Sequence, residues 1–354
     1  MGGRRIVGRG QRFRRADGPR YFFVFVRKLN LLNFVKYYKD IILITEPRVS
    51  SNPAMHLNDL VLFHPPYTAA NLPRIAELAT DELRERYYDS IWEPSNRDTF
   101  AREDIDRRIQ LDPLPIPHES ARDRYFAGRD VEYWVSGLTD ALMATEWISV
   151  HKGDQPIERY LDFGCSSGRV VRHFLCQNFA RVCHGTDLNT GTIQWAQRHI
   201  PSGIFLNNTI VPHLPFPDAF FDLITAYSVF THIDLLEEAW LLELRRVLRP
   251  GGTIALSNHS EAVWASIDPD HFMYVDLKNS RPTENIEITP EVFSSGMPHP
   301  RFGFVRKDGV ANEVNMFRSR NYIREAWGRI FAIEDIIGSG HLFHDLIFMS
   351  HPEH

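Results

Sequence analysis

The fold of this chain is decided by residues 159–172, which read Arg-Tyr-Leu-Asp-Phe-Gly-Cys-Ser-Ser-Gly-Arg-Val-Val-Arg. The apolar run near the start predicts a short buried strand, and the valines near the end open an amphipathic helix. Gly164 and Gly168 lie between them, where the backbone must turn tightly and a ligand can come close. The first N–H groups of the helix have no partner within it. A strand, a glycine turn and a helix in this order predict a cofactor site.

The spacing of the glycines distinguishes between cofactors. A dinucleotide site requires G-x-G-x-x-G, with a pyrophosphate at the helix N-terminus. Here the pattern is D-x-G-x-x-x-G, from Asp162 to Gly168. The Asp162 carboxylate at the end of the strand would repel a pyrophosphate, so a dehydrogenase is disfavoured. It suits a ligand that has an ammonium group and no phosphate, such as S-adenosylmethionine.

This stretch resembles motif I of the class I S-adenosylmethionine-dependent methyltransferases, and later segments are similar to the same family in the same order. Asp187 follows the second predicted strand, ~20 residues after the glycine turn, where an acid grips ribose hydroxyls. Residues 214–232 resemble the family's fourth strand and the loop after it. Residues 248–252, Leu-Arg-Pro-Gly-Gly, resemble the turn before its fifth strand. The resemblance covers roughly residues 130–350.

Alternating strands and helices predict an α/β fold with a doubly wound sheet. The resemblance implies the class I methyltransferase fold, a mostly parallel seven-stranded sheet with an antiparallel final strand. Strands are predicted at 159–163, 181–187, 203–207, 221–227 and 252–258, and helices at 129–147, 169–177, 190–199 and 235–248. A helix at 321–330 and a hairpin of strands 331–338 and 344–350, turning at Ser339-Gly340, are predicted to end the chain.

Ligands of such sheets bind at the carboxyl ends of the strands. The predicted cofactor-binding residues lie there: Asp162, Phe163, Gly164, Cys165, Gly168, Asp187, Leu188, Asn208, Tyr227 and Ser228. The resemblance implies that Asp187 accepts hydrogen bonds from both ribose hydroxyls of S-adenosylmethionine, each worth about 1.5–3 kcal/mol. Asp162 would meet the methionine amine, the N–H groups of the glycine turn would face the methionine, and Asn208 would reach the adenine. The alternatives are an ordinary surface Asp187 and an Asp162 that only caps the turn.

Methyl transfer from a sulfonium needs alignment, worth about 7–11 kcal/mol in favourable cases, and a base when the acceptor is a hydroxyl. His232, in the loop after the fourth strand, is the predicted catalytic base because a histidine near neutral pKa suits hydroxyl deprotonation. A structural role for this loop is an equal alternative. His259, His271 and His299 are rival bases. No metal is required.

Composition limits the function classes. With 354 residues and 43% hydrophobic content, the chain can form one large core with an appendage, or two domains. A net charge of −5 argues against a general nucleic-acid binder. Three cysteines without C-x-x-C spacing predict neither a disulfide framework nor a zinc site, and a cytoplasmic location fits best. Charges interrupt the apolar run 21–44, so no membrane span is expected.

The chain is predicted to have three parts. Residues 1–20 contain seven arginines and one aspartate, which indicates a disordered basic tail or a contact for RNA, anionic lipid or an acidic partner. Residues 21–117 form a mixed or helical N-terminal extension that packs on the rest or dimerises, and a proline-rich connector ends it. Residues 118–354 form the methyltransferase domain. An insertion at 260–320 covers the acceptor or is a surface excursion or dimer arm.

These features favour a methyltransferase for a small-molecule acceptor, with a sugar or natural-product hydroxyl as the target. The first alternative is a protein or RNA methyltransferase that docks through the basic tail. The second is a non-catalytic subunit with the same fold. The acidic net charge and the large insertion favour the small-molecule reading, and the intact glycine turn with both acids disfavours the non-catalytic one.

Overall fold

The computed structural model describes residues 72–79, 102–122, 125–306 and 314–352. These residues all belong to one compact unit, Pro66–His354. The predicted basic tail, 1–20, and most of the predicted N-terminal extension lie outside the described residues.

The strands, in chain order, are β1 Ile157–Phe163, β2 Ala180–Asp187, β3 Ile204–Asn207, β4 Phe221–Ala226, β5 Leu248–Asn258, β6 Arg281–Pro282, β7 Arg301–Val305, β8 Val314–Arg318, β9 Ala332–His341 and β10 His344–Ser350. Seven of them form one sheet in the order β3-β2-β1-β4-β5-β10-β9. Strands β1 to β5 are parallel, and β10 runs antiparallel to both of its neighbours. The predicted class I methyltransferase fold is therefore confirmed.

The α-helices are α1 Ile75–Leu78, α2 Arg102–Gln110, α3 Asp130–Lys152, α4 Val171–Cys176, α5 Thr190–His199, α6 Glu237–Val247, α7 Glu261–Ala265, α8 Tyr274–Asn279, α9 Pro290–Ser294 and α10 Arg320–Ala326. Helices α3 to α5 pack on one face of the sheet, and α6 and α10 pack on the other. Successive residues of β1 show this division, since Tyr160 joins the first core and Leu161 the second. Because helices cover both faces of the sheet, both sets of side chains on the parallel strands are buried, and the strands appear in the sequence as continuous apolar runs.

Several predicted boundaries differ from the structure, and the largest difference is in α3, which ends at Lys152 rather than at 147. The helix after the glycine turn begins at Val171 rather than at Arg169. Strand β5 begins at Leu248 rather than at 252, because the Pro-Gly-Gly segment stays extended. The final hairpin turns at Leu342-Phe343, not at Ser339-Gly340. Gly340 instead lets two strands approach closely, since a Cβ there would lie 2.6 Å from the Leu346 Cβ.

The insertion between β5 and α10 forms a small unit of its own. Its strands β6, β7 and β8 form an antiparallel sheet that the sequence did not predict. Buried aromatic side chains pack around Trp264 to form its core: Phe293, Phe302, Phe304 and Phe317. The unit is joined to the end of β5, where the Arg318 N–H donates to the His259 carbonyl at 2.8 Å. This places the insertion over the carboxyl ends of the strands.

The described part of the N-terminal extension packs on helix α3. Ile75, Ile105 and Ile109 are buried with residues of α3. Asp112 receives two hydrogen bonds from the buried Arg172 guanidinium, at 2.8 and 3.0 Å. Burial alone would raise the pKa of Asp112, but the Arg172 charge and hydrogen bonds lower it to about 2. No helix among the described residues is long and apolar enough to cross a bilayer.

Candidate cofactor and active site

The glycine turn is fixed to strand β2 by its own backbone. Gly164 and Gly168 have φ of +82° and +81°, conformations that side-chain-bearing residues rarely adopt. The N–H groups of Gly164 and Cys165 both donate to the Thr186 carbonyl, at 2.8 and 3.0 Å. These two N–H groups are therefore occupied, and the expectation that they face the methionine is wrong for them. Their role is to hold the turn in place.

Asp187 lies at the end of β2 and links three parts of the site. Its carboxylate accepts hydrogen bonds from the N–H groups of Ser166 and Asn189, both at 2.8 Å. Its carbonyl accepts the Asn208 N–H at 3.1 Å. These two backbone hydrogen bonds fix the orientation of the Asp187 carboxylate at the end of β2. The apolar side chain of Leu188 beside it is exposed.

Two buried polar atoms beside Asp187 indicate a fit for a nucleoside. The Ser166 Oγ and the Asn208 Oδ1 have no hydrogen-bond partner among the residues that the structure describes. Buried polar groups are normally paired, so these atoms are suited to a ligand. Both residues are hydrogen-bonded to Asp187 through their backbones, which places the three groups together. The predicted residues Asp187 and Asn208 thus lie in one place, with Ser166 added.

Asp162 lies at the end of β1, below the turn. The strand register places it beside Thr225 of β4, whose Oγ1 donates to it at 2.9 Å. Burial raises the pKa of this carboxyl to about 7, and the charges of Asp140 and Asp187 act in the same direction. Thr225 and Arg169 oppose that shift without overcoming it. A cationic group above Asp162 would favour its ionised form.

A chain of polar side chains that the sequence did not predict surrounds the end of β4. Arg169 pairs with Asp140 at 2.5 Å, and Asp140 accepts the His341 Nδ1–H at 2.7 Å. His341 Nε2 then lies 3.2 Å from the Ser228 Oγ. Ser228 was among the predicted residues, but Asp140 and His341 come from distant parts of the chain, so no local motif marks them. The Tyr227 hydroxyl donates to the Asp140 carbonyl at 2.9 Å, so this predicted cofactor residue uses its hydroxyl inside the protein.

His232 lies in a 3₁₀ turn after β4, beneath the insertion. Its Nδ1–H donates to the Val314 carbonyl of β8 at 2.7 Å, which leaves the lone pair on Nε2 in the neutral ring. Burial lowers the pKa of His232, so the neutral form prevails at pH 7. The neutral ring can therefore accept a proton at Nε2, as a general base must.

The three rival histidines have other surroundings. His259 is fully buried against His344, with 2.9 Å between their Nε2 atoms. Burial, with His232 and Arg318 acting in the same direction, lowers the pKa of His259 far below its usual value. His271 stacks on Phe272, and His299 pairs with Glu284 at 2.7 Å in the insertion.

The cysteines are free and lack reactive surroundings. Burial raises the pKa of the Cys165 thiol well above its usual value, and the nearby Asp162 and Asp187 add to this. Burial also raises the pKa values of Cys176 and Cys183 to about 12. Protonated thiols are poor nucleophiles, so Cys165 acts in packing within the turn. Within the described ranges, no group of three or more His, Cys, Asp or Glu side chains could hold a metal ion.

Comparison with known families gives a match over the centre of the chain. Residues 161–256 match the model of a methyltransferase domain, from the end of β1 to the middle of β5. Over these residues the chain is similar to the methyltransferase-domain family. The match contains the glycine turn, Asp187 and the loop after β4, which are the segments that suggested the family. The cofactor of this family is S-adenosylmethionine, so that prediction is confirmed for the methyltransferase domain.

Curated relatives match part of the chain. A malonyl-[acyl-carrier protein] O-methyltransferase from Methylococcus capsulatus is 31% identical over 119 residues, covering 33% of this chain and 42% of the relative. A ubiquinone/menaquinone biosynthesis C-methyltransferase from Cupriavidus pinatubonensis is 40% identical over 65 residues, covering 18% and 25%. A probable methyltransferase from Arabidopsis thaliana is 30% identical over 104 residues, covering 29% and 17%. The chain spans less than half the length of these relatives.

Among solved structures, a Burkholderia thailandensis 1,6-didemethyltoxoflavin-N1-methyltransferase with bound S-adenosylhomocysteine is similar at 17% identity. The similarity covers 72% of this chain and 91% of that one, with a TM-score of 0.41. Similarity at this level supports no argument about the acceptor.

Proposed function

We propose that this chain transfers a methyl group from S-adenosylmethionine to a hydroxyl of a small molecule, such as a sugar or a natural-product scaffold. The observation that supports this best is the arrangement at the end of β2, where backbone bonds orient the Asp187 carboxylate beside unpaired atoms of Ser166 and Asn208. Asp187 would bind the ribose hydroxyls, and Asp162 would bind the methionine ammonium.

The sulfonium supplies a good leaving group when the cofactor is bound. The protein's own residues must therefore align the acceptor hydroxyl with the methyl group, exclude water from the site and remove the hydroxyl proton. We propose His232 for proton removal, because its Nδ1–H is held by the Val314 carbonyl and its Nε2 has the lone pair. A neutral imidazole needs no prior deprotonation at pH 7.

A small-molecule acceptor is supported by the insertion and by the net charge. The insertion packs at the carboxyl end of β5, and its strand β8 contacts His232. A cover of this kind leaves less room for a folded protein or an RNA duplex. A net charge of −5 offers no general attraction for nucleic acid.

The test is methyl transfer by the full chain, followed as S-adenosylhomocysteine formation with a panel of sugar and phenolic hydroxyl compounds. His232→Asn is expected to lower kcat about 10²- to 10⁴-fold without changing S-adenosylhomocysteine affinity. His213→Asn, an exposed histidine, is the control and should behave as wild type. Full activity of His232→Asn would contradict the role of His232, and turnover only with protein or RNA acceptors would contradict the acceptor class.

A further inference from the structure

Ser228, His341 and Asp140 form a hydrogen-bonded chain that the proposed methyl transfer does not use. Asp140 is buried and accepts the His341 Nδ1–H at 2.7 Å. With the proton on Nδ1, the Nε2 of the neutral ring has the lone pair, and it lies 3.2 Å from the Ser228 Oγ. A serine, a histidine that can take its proton and a carboxylate that orients the histidine are the parts of an activated nucleophile.

The backbone at Ser228 makes a sharp turn between a parallel strand and a helical turn. Strand β4 ends at Ala226, and the 3₁₀ turn Phe230–His232 follows. Ser228 has a φ of +57°, a conformation that residues with a side chain seldom adopt. Its N–H donates to the Ser257 Oγ at 2.7 Å, so strand β5 holds the turn in place. Strain of this kind is concentrated at functional sites, and nucleophilic serines occupy similar turns at the ends of parallel strands.

The three groups differ in exposure as a nucleophilic site requires. Asp140 is 2% exposed and His341 is 1% exposed, whereas Ser228 is half-buried and retains accessible surface. The Tyr227 ring stacks on His341 with 4.9 Å between the ring centres, which keeps the imidazole in its orientation. The base and its carboxylate are thus shielded from water, while the hydroxyl that would react lies nearer the surface.

The Tyr125 hydroxyl provides a hydrogen-bond donor beside Ser228. It is buried and has no hydrogen-bond partner among the residues that the structure describes. Burial raises the pKa of this hydroxyl, and Arg169 and Ser228 oppose that shift, which places the serine next to it. A donor that has no acceptor is suited to stabilise the oxygen that becomes negative when a serine attacks a carbonyl carbon.

A second serine and histidine pair nearby lacks these features. The His344 Nδ1 lies 3.2 Å from the Ser257 Oγ, but the other ring nitrogen lies 2.9 Å from His259 instead of contacting a carboxylate. Ser257 is fully buried, and its oxygen accepts the Ser228 N–H. Of these two serines, Ser228 is therefore the one with both an oriented base and accessible surface.

We propose that Ser228 is a nucleophile that hydrolyses small esters, with His341 as its base and Asp140 as the residue that orients the base. The Ser228 oxygen forms a bond to the carbonyl carbon of the ester, and its proton passes to the His341 Nε2. The bond from this carbon to the alcohol oxygen then breaks, and the alcohol leaves with that proton. A water molecule that gives a proton to His341 next attacks the acyl-serine. The carboxylic acid leaves, and Ser228 recovers its proton from His341.

This activity goes beyond the proposed function and does not depend on it, because the reaction uses neither S-adenosylmethionine nor His232. The experiment treats the full chain with p-nitrophenyl acetate and, separately, with a fluorophosphonate that labels activated serines. Mass spectrometry locates the label. We expect p-nitrophenol release above the rate in buffer and a label on Ser228.

Two variants test the roles of the serine and its base. Ser228→Gly accepts the left-handed backbone and removes the hydroxyl, so the hydrolysis rate should fall at least about 100-fold. His341→Gln should lower both hydrolysis and labelling about 10²- to 10⁴-fold. The matched controls are Ser202→Ala and His213→Gln, at an exposed serine and an exposed histidine, and they should behave as wild type.

Absence of a label on Ser228 in folded wild type would overturn the proposal, and this result needs no variant. Equal labelling of Ser228 in wild type unfolded in urea would do the same, because the reactivity would then not come from the fold. Unchanged labelling in folded His341→Gln, or an unchanged hydrolysis rate in folded Ser228→Gly, would also contradict it. Neither reagent involves the cofactor, so these outcomes are independent of whether the chain binds S-adenosylmethionine.

Discussion

At the scale of single residues, we predict that Asp162 makes cofactor affinity depend on pH. Burial raises the pKa of its carboxyl to about 7, so it is largely protonated at pH 6 and largely ionised at pH 8. Only the ionised form attracts an ammonium group. Affinity for S-adenosylhomocysteine is therefore expected to rise about tenfold between pH 6 and pH 8. Titration calorimetry at both pH values measures this, and Asp162→Asn should remove the dependence. A flat profile in wild type would show that Asp162 does not meet the amine.

Gly164 allows a test of the turn itself. An added Cβ would lie 2.2 Å from the Val229 Cγ2, and φ is +82°. Gly128 has a similar φ of +68° but no atom within 4 Å of an added Cβ. Gly128→Ala is expected to cost about 1–2 kcal/mol through φ alone. Gly164→Ala should cost more, because the Val229 contact adds to that strain, and it should weaken S-adenosylhomocysteine binding. Equal costs in urea unfolding would contradict the close approach.

The site residues differ in how far sequence could reveal them. Asp162 and Asp187 were predicted because each follows a strand at a spacing typical of the family. Asp140 and His341 were not, because their pairing joins the middle of a helix to the end of β9, 201 residues apart. Local spacing identifies groups on strand ends, whereas contacts between distant elements need the fold.

At the scale of elements, the insertion is joined to the core by buried charge. Glu237 of α6 binds Arg318 of β8 through its carboxylate, 2.7 Å from the Arg318 Nε. It also accepts hydrogen bonds from Arg301 at 3.1 Å and from Trp327 at 2.6 Å. Burial alone would raise the pKa of Glu237, but the Arg318 charge and hydrogen bonds lower it. One carboxylate thus holds two strands of the insertion and the turn after α10.

Glu237→Gln is expected to destabilise the fold by about 3–5 kcal/mol, because Arg318 is fully buried and would lose its counter-charge. Glu238→Gln, at the next and exposed position, is the matched control and should change the free energy of unfolding by less than about 0.5 kcal/mol. Urea unfolding measures both. Similar small effects of the two substitutions would mean that this carboxylate does not hold the insertion in place.

The elements themselves were largely predictable from sequence. Apolar runs of strand length and helical periodicity located β1 to β5 and helices α4 to α6, with errors of a few residues at Arg169 and Leu248. The sheet of the insertion was missed because β6 has only two residues and because its aromatic core joins distant segments. The turn at Ser339-Gly340 was wrong because glycine there serves close strand packing rather than reversal.

At the scale of the whole molecule, buried neutral histidines predict sensitivity to acid. Burial lowers the pKa of His173 to about 3, and burial lowers those of His259 and His344 well below the usual value. Below pH ~6.5 the unfolded chain binds protons at these positions and the folded chain does not. Each group therefore reduces the free energy of unfolding by about 1.4 kcal/mol per pH unit. Asp162 acts in the opposite direction, because its raised pKa lets the folded chain bind a proton that the unfolded chain does not bind. Over the same pH range it cancels the contribution of one histidine.

We therefore expect the free energy of unfolding to fall by about 2–3 kcal/mol between pH 6 and pH 5. Urea unfolding at each pH measures this change. His173→Leu should lower the change in unfolding free energy per pH unit by the contribution of one proton, about 1.4 kcal/mol. The exposed His213→Leu should leave that change as it is in wild type. A slope that is unaffected by His173→Leu would show that the ring is protonated in the folded state.

The central claim is that the site between the glycine turn and Asp187 binds S-adenosylmethionine. Calorimetric titration of the full chain with S-adenosylhomocysteine tests it most directly. We predict one binding site per chain, with affinity reduced at least about 100-fold in Asp187→Ala and unchanged in the exposed control Asp270→Ala. Absence of binding by wild type at millimolar ligand, or full affinity in Asp187→Ala, would contradict it.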